Sequence, residues 1–287
     1  MKYITLHTGV KIPVLGLGTA RVGGTSGRIR PNPRTGILGW LTQGKKADER
    51  DIAAIQRGIE LGMTHIDTAR AYGKGRSEML VGRAIKNFKR RDLFLASKVE
   101  INLNYEAVIR ALESSLARLD TSYLDLYLVH WPVAEIPLKE TMEAFDSLVK
   151  TKKVRHIGVC NFSVEQLKEA QLYTKNKIIT NQVKYNYMYQ LPKKELLQYC
   201  QENNIILTAY SPLNEGNTLT NRGMQELITK YKKTAAQIAL NWLISQKNVI
   251  TIPKSSNIKH VEENIGALDF VMDQEERDTL SNEKSFV

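Results

Sequence analysis

The sequence is short of cysteine: Cys160 and Cys200 are the only two in 287 residues. Two cysteines make neither a disulfide framework nor a cysteine-based metal set, so no metal site is expected. Their scarcity fits a reducing cytoplasm. Long apolar runs are also missing. None approaches the roughly 20 residues a membrane-spanning helix needs, so no membrane partner is expected. The opening MKYITLHTGVKIPVLGLG lacks the apolar stretch and cleavage site of a signal peptide.

What is present is ordinary for a globular chain: 42% apolar and 25% charged residues. The formal net charge is +11. The basic residues are scattered among acids, as in Lys139-Glu140 and Lys193-Lys194-Glu195, which argues against a nucleic-acid partner. The densest run, Lys86 to Arg91, falls at an expected helix end, where cations complement the dipole. Part of the excess can serve an anionic cofactor or substrate.

In order, Tyr3 to Leu6 and Ile12 to Val14 read as a hairpin turning at Thr8-Gly9. Residues 22–46 carry eight glycines and prolines without a period and read as a long loop. From Asp48 a unit recurs in which an amphipathic helix alternates with a short apolar strand. The strands are expected at Leu15–Gly18, Thr64–Ile66, Leu93–Ser97, Tyr123–Val129, Val154–Val159, Ile178–Val183, Ile205–Ala209 and Val249–Ile252. Helices are expected between them, among them Asp48–Leu61, Ser77 to about Phe88 with Ser77 as N-cap, Asn104–Leu119, Ser163–Tyr173 and Pro192–Asn203. Two more, Asn257–Gly266 and Asp273–Ser281, follow the last strand. Eight such strands predict an α/β fold, a (β/α)8 TIM barrel with an N-terminal β-hairpin and extra C-terminal helices, in one domain over residues 1–287. The doubly wound sheet is disfavoured. Gly16-Leu17-Gly18 leads into a loop, and Thr19, Ala20 and Arg21 follow without the third glycine of its fingerprint.

Catalytic groups of barrels sit at the C-terminal strand ends. Here those ends carry Asp67, Lys98 and His130, and Tyr72 hangs in the loop after Asp67. A phenol with a pKa near 10 is a poor donor at neutral pH. A buried Lys98 ammonium is expected to lower that pKa, and Asp67 to keep Lys98 charged. His130 can hold a carbonyl oxygen. Such a set protonates an oxygen whose carbon has just received a hydride.

Around these residues stand Gly16-Leu17-Gly18-Thr19, Gly62 to Ala69 with Tyr72-Gly73, Ser77-Glu78, Ser97-Lys98, Leu128-Val129-His130-Trp131-Pro132 and Gly158-Val159-Cys160-Asn161-Phe162. Further on come Asn181-Gln182-Val183 with Tyr185-Asn186, Ala209-Tyr210-Ser211-Pro212-Leu213, Ile252-Pro253-Lys254-Ser255 and Glu263-Asn264-Ile265. In these motifs the chain resembles the aldo-keto reductase family, of the prokaryotic type with short substrate loops. The resemblance implies reduction of aldehydes and ketones with NADPH, or NADH as the second option, with Asp67, Tyr72, Lys98 and His130 as the catalytic tetrad and Tyr72 as proton donor. It implies that Asp67, Gly18 and Thr19 border the cofactor. Asn161 and Gln182 would hold the carboxamide, Tyr210 would stack on the nicotinamide, and Ser211 and Leu213 would follow the pyrophosphate. Ile252, Lys254, Ser255 and His260 would lie by the 2′-phosphate, with Glu263 and Asn264 at the adenine. The substrate would meet Tyr72, His130, Trp131 and, from the long loop, Trp40, with Arg28, Arg30 and Arg34 also in reach. The expected partner is a small carbonyl compound and the expected state a monomer. His260 stands where NADP-preferring members often carry Arg, which weakens the phosphate contact. Cys160 stands where Ser is common. A different use of the same fold, a cofactor-binding redox-sensing or regulatory subunit, would not need an intact tetrad.

Overall fold

A computed structural model of the chain describes residues 1–24, 36–216 and 222–282. The hairpin forms first, from β1 (Tyr3–Thr5) and β2 (Lys11–Pro13). Its turn uses Gly9 at φ 81°, a conformation that needs no Cβ. The hairpin packs at the N-terminal end of the barrel, where Ile4, Leu6 and His7 border a cavity of about 240 Å³ with Ile179 and Ile206.

The eight barrel strands are β3 (Leu17–Gly18), β4 (His65–Asp67), β5 (Phe94–Ile101), β6 (Leu124–Trp131), β7 (Val154–Cys160), β8 (Ile178–Lys184), β9 (Ile206–Tyr210) and β10 (Val249–Thr251). They pair in chain order and all in parallel. The two outer strands then meet. Gly16 N–H donates to the Thr251 carbonyl at 2.8 Å, and Thr251 N–H donates to the Val14 carbonyl at 2.9 Å. The sheet therefore closes on itself, which is the expected barrel. Gly18 has a role in that closure. A Cβ at Gly18 would run into the Ile252 carbonyl, so only glycine lets the first and last strands approach. Burial on both faces explains the apolar runs: Leu126 to Val129 are all buried.

The helices outside the barrel are α1 (Gly36–Glu60), α2 (Arg76–Ile85), α3 (Tyr105–Leu119), α4 (Leu138–Lys150), α5 (Val164–Leu172), α6 (Leu196–Glu202), α7 (Arg222–Tyr231), α8 (Ala235–Ile244), α9 (Ile258–Ile265) and α10 (Gln274–Asn282). Asn104 caps α3 through the Ala107 N–H, and Ser163 with Gln166 forms a capping box on α5. None of the described helices is long and apolar enough to cross a membrane.

Four expectations need correction. The loop reading of 22–46 fails over its second half, because α1 begins at Gly36 and not at Asp48. Once the alanine- and charge-rich part of α1 has nucleated, extension backward is cheap, and each glycine costs only about 1 kcal/mol. Ser77 is not an N-cap. The cap position is Gly75 at φ 89°, and Ser77 is inside α2 with its hydroxyl turned to Thr19 and Thr68. The helix expected from Pro192 to Asn203 is two pieces: a 3-10 turn at Leu191–Lys193, then α6 after Glu195 leaves helical backbone at φ −134°. Lys98 is not at a strand end, because β5 continues to Ile101.

The α1 correction can be tested at Gly44, where an added Cβ meets nothing within 4 Å. Gly44→Ala is expected to raise stability to urea by about 0.5–1 kcal/mol. A destabilised variant would mean that this stretch is not helical.

Candidate active site

Asp67 closes β4, and its register partner on β5 is Ala96. Lys98 is two residues further along β5 on the same face, so its side chain reaches back to Asp67 on the neighbouring strand. The ammonium donates to Asp67 Oδ2 at 2.7 Å, to the Thr68 carbonyl at 2.9 Å and to the Tyr72 hydroxyl at 3.3 Å. Lys98 is 0% exposed and Asp67 1%. Gln182 Nε2 donates to the other carboxylate oxygen, Asp67 Oδ1, at 2.8 Å. Tyr72 arrives on a 3-10 turn, Tyr72–Gly75, whose Gly73 and Lys74 are left-handed (φ 58° and 55°). Its ring meets His130 edge-on at 5.7 Å between centroids, and His130 stacks on Trp131, which is 50% exposed. The structure thus brings all four ionisable groups together.

The electrostatics follow from burial. Desolvation alone would discharge Lys98; Asp67, aided by Tyr72, reverses this and holds the ammonium above its ordinary range. Tyr72 departs from expectation. Burial pushes its phenol up to about 12, and the Lys98 charge only partly offsets that because Asp67 opposes it. The phenol is therefore a protonated donor, not a pre-formed phenolate. His130 is held down at about 4, first by burial and then by Lys98, so it is neutral at physiological pH. His65, buried below Asp67 on β4, is likewise held at about 4, by burial.

These two histidines set a pH dependence. Unfolded, each titrates near 6.5; folded, each titrates near 4. Between those values the unfolded chain binds more protons. Their contribution is therefore complete above about pH 6.5 and is lost as pH falls toward 4. We expect unfolding in urea to become easier across that window by about 1.4 kcal/mol per pH unit for each proton taken up, with up to two protons. A midpoint that stays level from about pH 6.5 down to 4 would contradict this.

The sequence missed the group that supports the tetrad from behind. Thr19 is buried, its hydroxyl donating to the Asp67 carbonyl at 2.9 Å, and Ser77 bridges Thr19 and Thr68. Glu78 is fully buried and accepts from Ser97 Oγ at 2.7 Å and from Arg118 Nε at 2.6 Å. Ser77-Glu78 was legible as a motif, but its structural use was not, because the partners lie 9 to 58 residues away.

The residues expected around a cofactor form an arc along the mouth. Asn161 is left-handed (φ 63°), donates to the His130 carbonyl at 3.0 Å and accepts from the Tyr210 hydroxyl at 3.1 Å. Gln182 Nε2 gives one N–H to Asp67, and the side-chain oxygen Oε1 could accept from a carboxamide. Tyr210 ends β9, and Ser211 and Leu213 follow it, Ser211 at φ 49°. Ile252 is buried after β10; Lys254 donates to Ser256 Oγ at 2.7 Å, and Ser255 bonds the Asn257 backbone. Asn257 caps α9, where His260 is exposed, Glu263 half-buried and Asn264 buried. Desolvation lowers the Lys254 ammonium; Asp51 opposes this, and Arg50 and Arg21 add to it. Lys254, which precedes α9, with Arg50 and Arg21 near enough to act on it, fits an anionic phosphate. Arg50 and Arg21 were not foreseen. The side chain of Trp40, and Arg28, Arg30 and Arg34, lie outside the described residues.

An eight-stranded barrel with a buried Lys–Asp pair and a phenol at its mouth defines a class of barrel oxidoreductases. Comparison with known proteins makes the class specific. The model of the Aldo/keto reductase family matches residues 14–282, and the chain belongs to that family. It is 37% identical over 280 residues to glyoxal reductase of Bacillus subtilis, covering 96% of this chain and 91% of the other. It is 37% identical over 246 residues to methylglyoxal reductase YeaE of Escherichia coli, covering 83% and 86%. Among solved structures, the thermostable aldo-keto reductase Tm1743 with the inhibitor epalrestat superposes with a TM-score of 0.87 at 40% identity, covering 98% of this chain and 99% of that one. An aldo-keto reductase of Klebsiella pneumoniae in complex with NADPH gives 0.82 at 33% identity, covering 99% and 98%.

Proposed function

We propose that the protein reduces small aldehydes or ketones to alcohols with NADPH, Tyr72 donating the proton. The observation that carries this reading is the buried Asp67–Lys98–Tyr72 chain at the mouth of the barrel. When bound, the dinucleotide supplies the hydride. Asn161, Gln182 and Tyr210 would hold its nicotinamide end, with Gly18, Thr19 and Asp67 beside it. Ser211 and Leu213 would line its middle, and Ile252, Lys254, Ser255, His260, Glu263 and Asn264 its far end. Thr19 is buried and its hydroxyl is committed to internal bonds, so it would support the site from beneath and not hydrogen-bond the dinucleotide.

Tyr72 and His130 meet edge-on at the mouth, and a carbonyl oxygen beside them would be in reach of both polar groups. Neutral His130 holds that oxygen and sets its angle. As charge builds on the oxygen, Tyr72 gives up its proton, and Lys98 stabilises the phenolate left behind. Asp67 keeps Lys98 charged and in place; it does not act on the substrate. Trp131 and Trp40 would shape the outer pocket. The two reductases of dicarbonyl compounds among the relatives support a small, reactive aldehyde as substrate. The chain is read as one reductase domain over residues 1–287, monomeric, cytoplasmic and without a nucleic-acid partner. The regulatory-subunit alternative is not favoured, because such a role does not call for the complete tetrad found at the mouth.

The test is consumption of NADPH, read at its nicotinamide band, on addition of a panel of aldehydes. If neither NADPH nor NADH is consumed with any of them, the reading fails. Lys254→Ala is expected to weaken NADPH binding about tenfold, with NADH binding much less affected. An equal loss for both would remove Lys254 from the 2′-phosphate.

A further inference from the structure

Lys184 ends β8, two residues beyond Gln182 and so on the same face of the strand. Gln182 touches Asp67, which places Lys184 about 7 Å higher, above the tetrad and over the mouth. Its register partner is Tyr210. Lys184 is half-buried, and among the described residues it has no carboxylate partner. Its ammonium rests 5.0 Å above the ring of Tyr189. The backbone that carries Tyr189 is held: Asn186 Oδ1 accepts from the Met188 and Tyr189 N–H groups, and Asn186 Nδ2 donates to the Ser211 carbonyl at 2.9 Å. A half-buried cation over an aromatic ring, without an internal counter-ion among the described residues, is an arrangement suited to an external anion. The tetrad does not repel one, since Lys98 neutralises Asp67.

We propose that Lys184 is a specificity-determining residue that receives a carboxylate, or a comparable anion, carried a few bonds from the carbonyl being reduced. The favoured substrates are then short oxo-acids with the charge remote from the carbonyl. This rests on the reductase reading for where the carbonyl sits.

Two measurements test it on the full-length protein. The first compares kcat/KM for 4-oxobutanoate and for butanal, which differ by the anion. The ratio is expected to fall about tenfold in Lys184→Met and to stay within about threefold of wild type in Lys184→Arg. It should also shrink as salt is raised. The second is calorimetric binding of succinate, which cannot be reduced, to the protein loaded with NADP+. Affinity is expected to drop about tenfold in Lys184→Met. An unchanged ratio, or unchanged succinate affinity, overturns the proposal. If neither aldehyde is reduced by wild type while succinate binding still depends on Lys184, the reductase reading falls and the anion site stands.

Discussion

Tyr72→Phe is expected to lower kcat for aldehyde reduction by about 10² to 10⁴, the range over which a positioned proton donor contributes. The substitution removes one oxygen and leaves the ring, so the edge-on contact with His130 at 5.7 Å survives. Lys98 loses its 3.3 Å contact but keeps Asp67 and the Thr68 carbonyl, so the ion pair stays intact. The cofactor-side residues do not touch the hydroxyl, and the NADPH dissociation constant should stay within about twofold. Loss confined to kcat marks a group used in the transition state. A variant that loses NADPH affinity instead would show that Tyr72 builds the cofactor site.

Lys98→Met is expected to damage both activity and stability. Activity should fall by about 10² to 10³, because the phenolate left by proton transfer has lost the cation that stabilises it. Stability should fall by about 3–5 kcal/mol, because Asp67 is left as a buried carboxylate without its cation. Gln182 and the backbone cannot neutralise it. Urea denaturation reads this directly. The double variant Lys98→Met with Asp67→Asn should regain most of the stability and none of the activity, since it removes the orphaned charge without restoring the cation. If Lys98→Met is as stable as wild type, Asp67 is not held as a charged group.

These predictions depend on groups that the sequence made visible to different degrees. The barrel was legible because each strand is a short, largely apolar run between amphipathic helices, as burial on both faces requires of a stretch such as Leu126 to Val129. Asp67, Lys98 and His130 could be found because all three fall in the C-terminal halves of neighbouring apolar strands, although β5 runs on past Lys98 to Ile101. Their energetics were less accessible. The direction of the Tyr72 shift turns on how deeply the hydroxyl is buried, and spacing carries no measure of desolvation. The start of α1 was missed because glycines locally favour a loop while cooperative extension of the helix favours the opposite. The roles of Glu78, Arg50 and Arg21 were missed because they arise from neighbours distant in the chain, such as Arg118 beside Glu78.

The central claim is that Tyr72 delivers a proton in a reaction whose reductant is NADPH. Its most direct test is a single turnover, mixing the protein–NADPH complex with a reactive aldehyde and following the nicotinamide absorbance. The account predicts a rapid fall in wild type, slower in heavy water, and a fall slowed by about 10² or more in Tyr72→Phe at full cofactor occupancy. A Tyr72→Phe complex that turns over at the wild-type rate would contradict it.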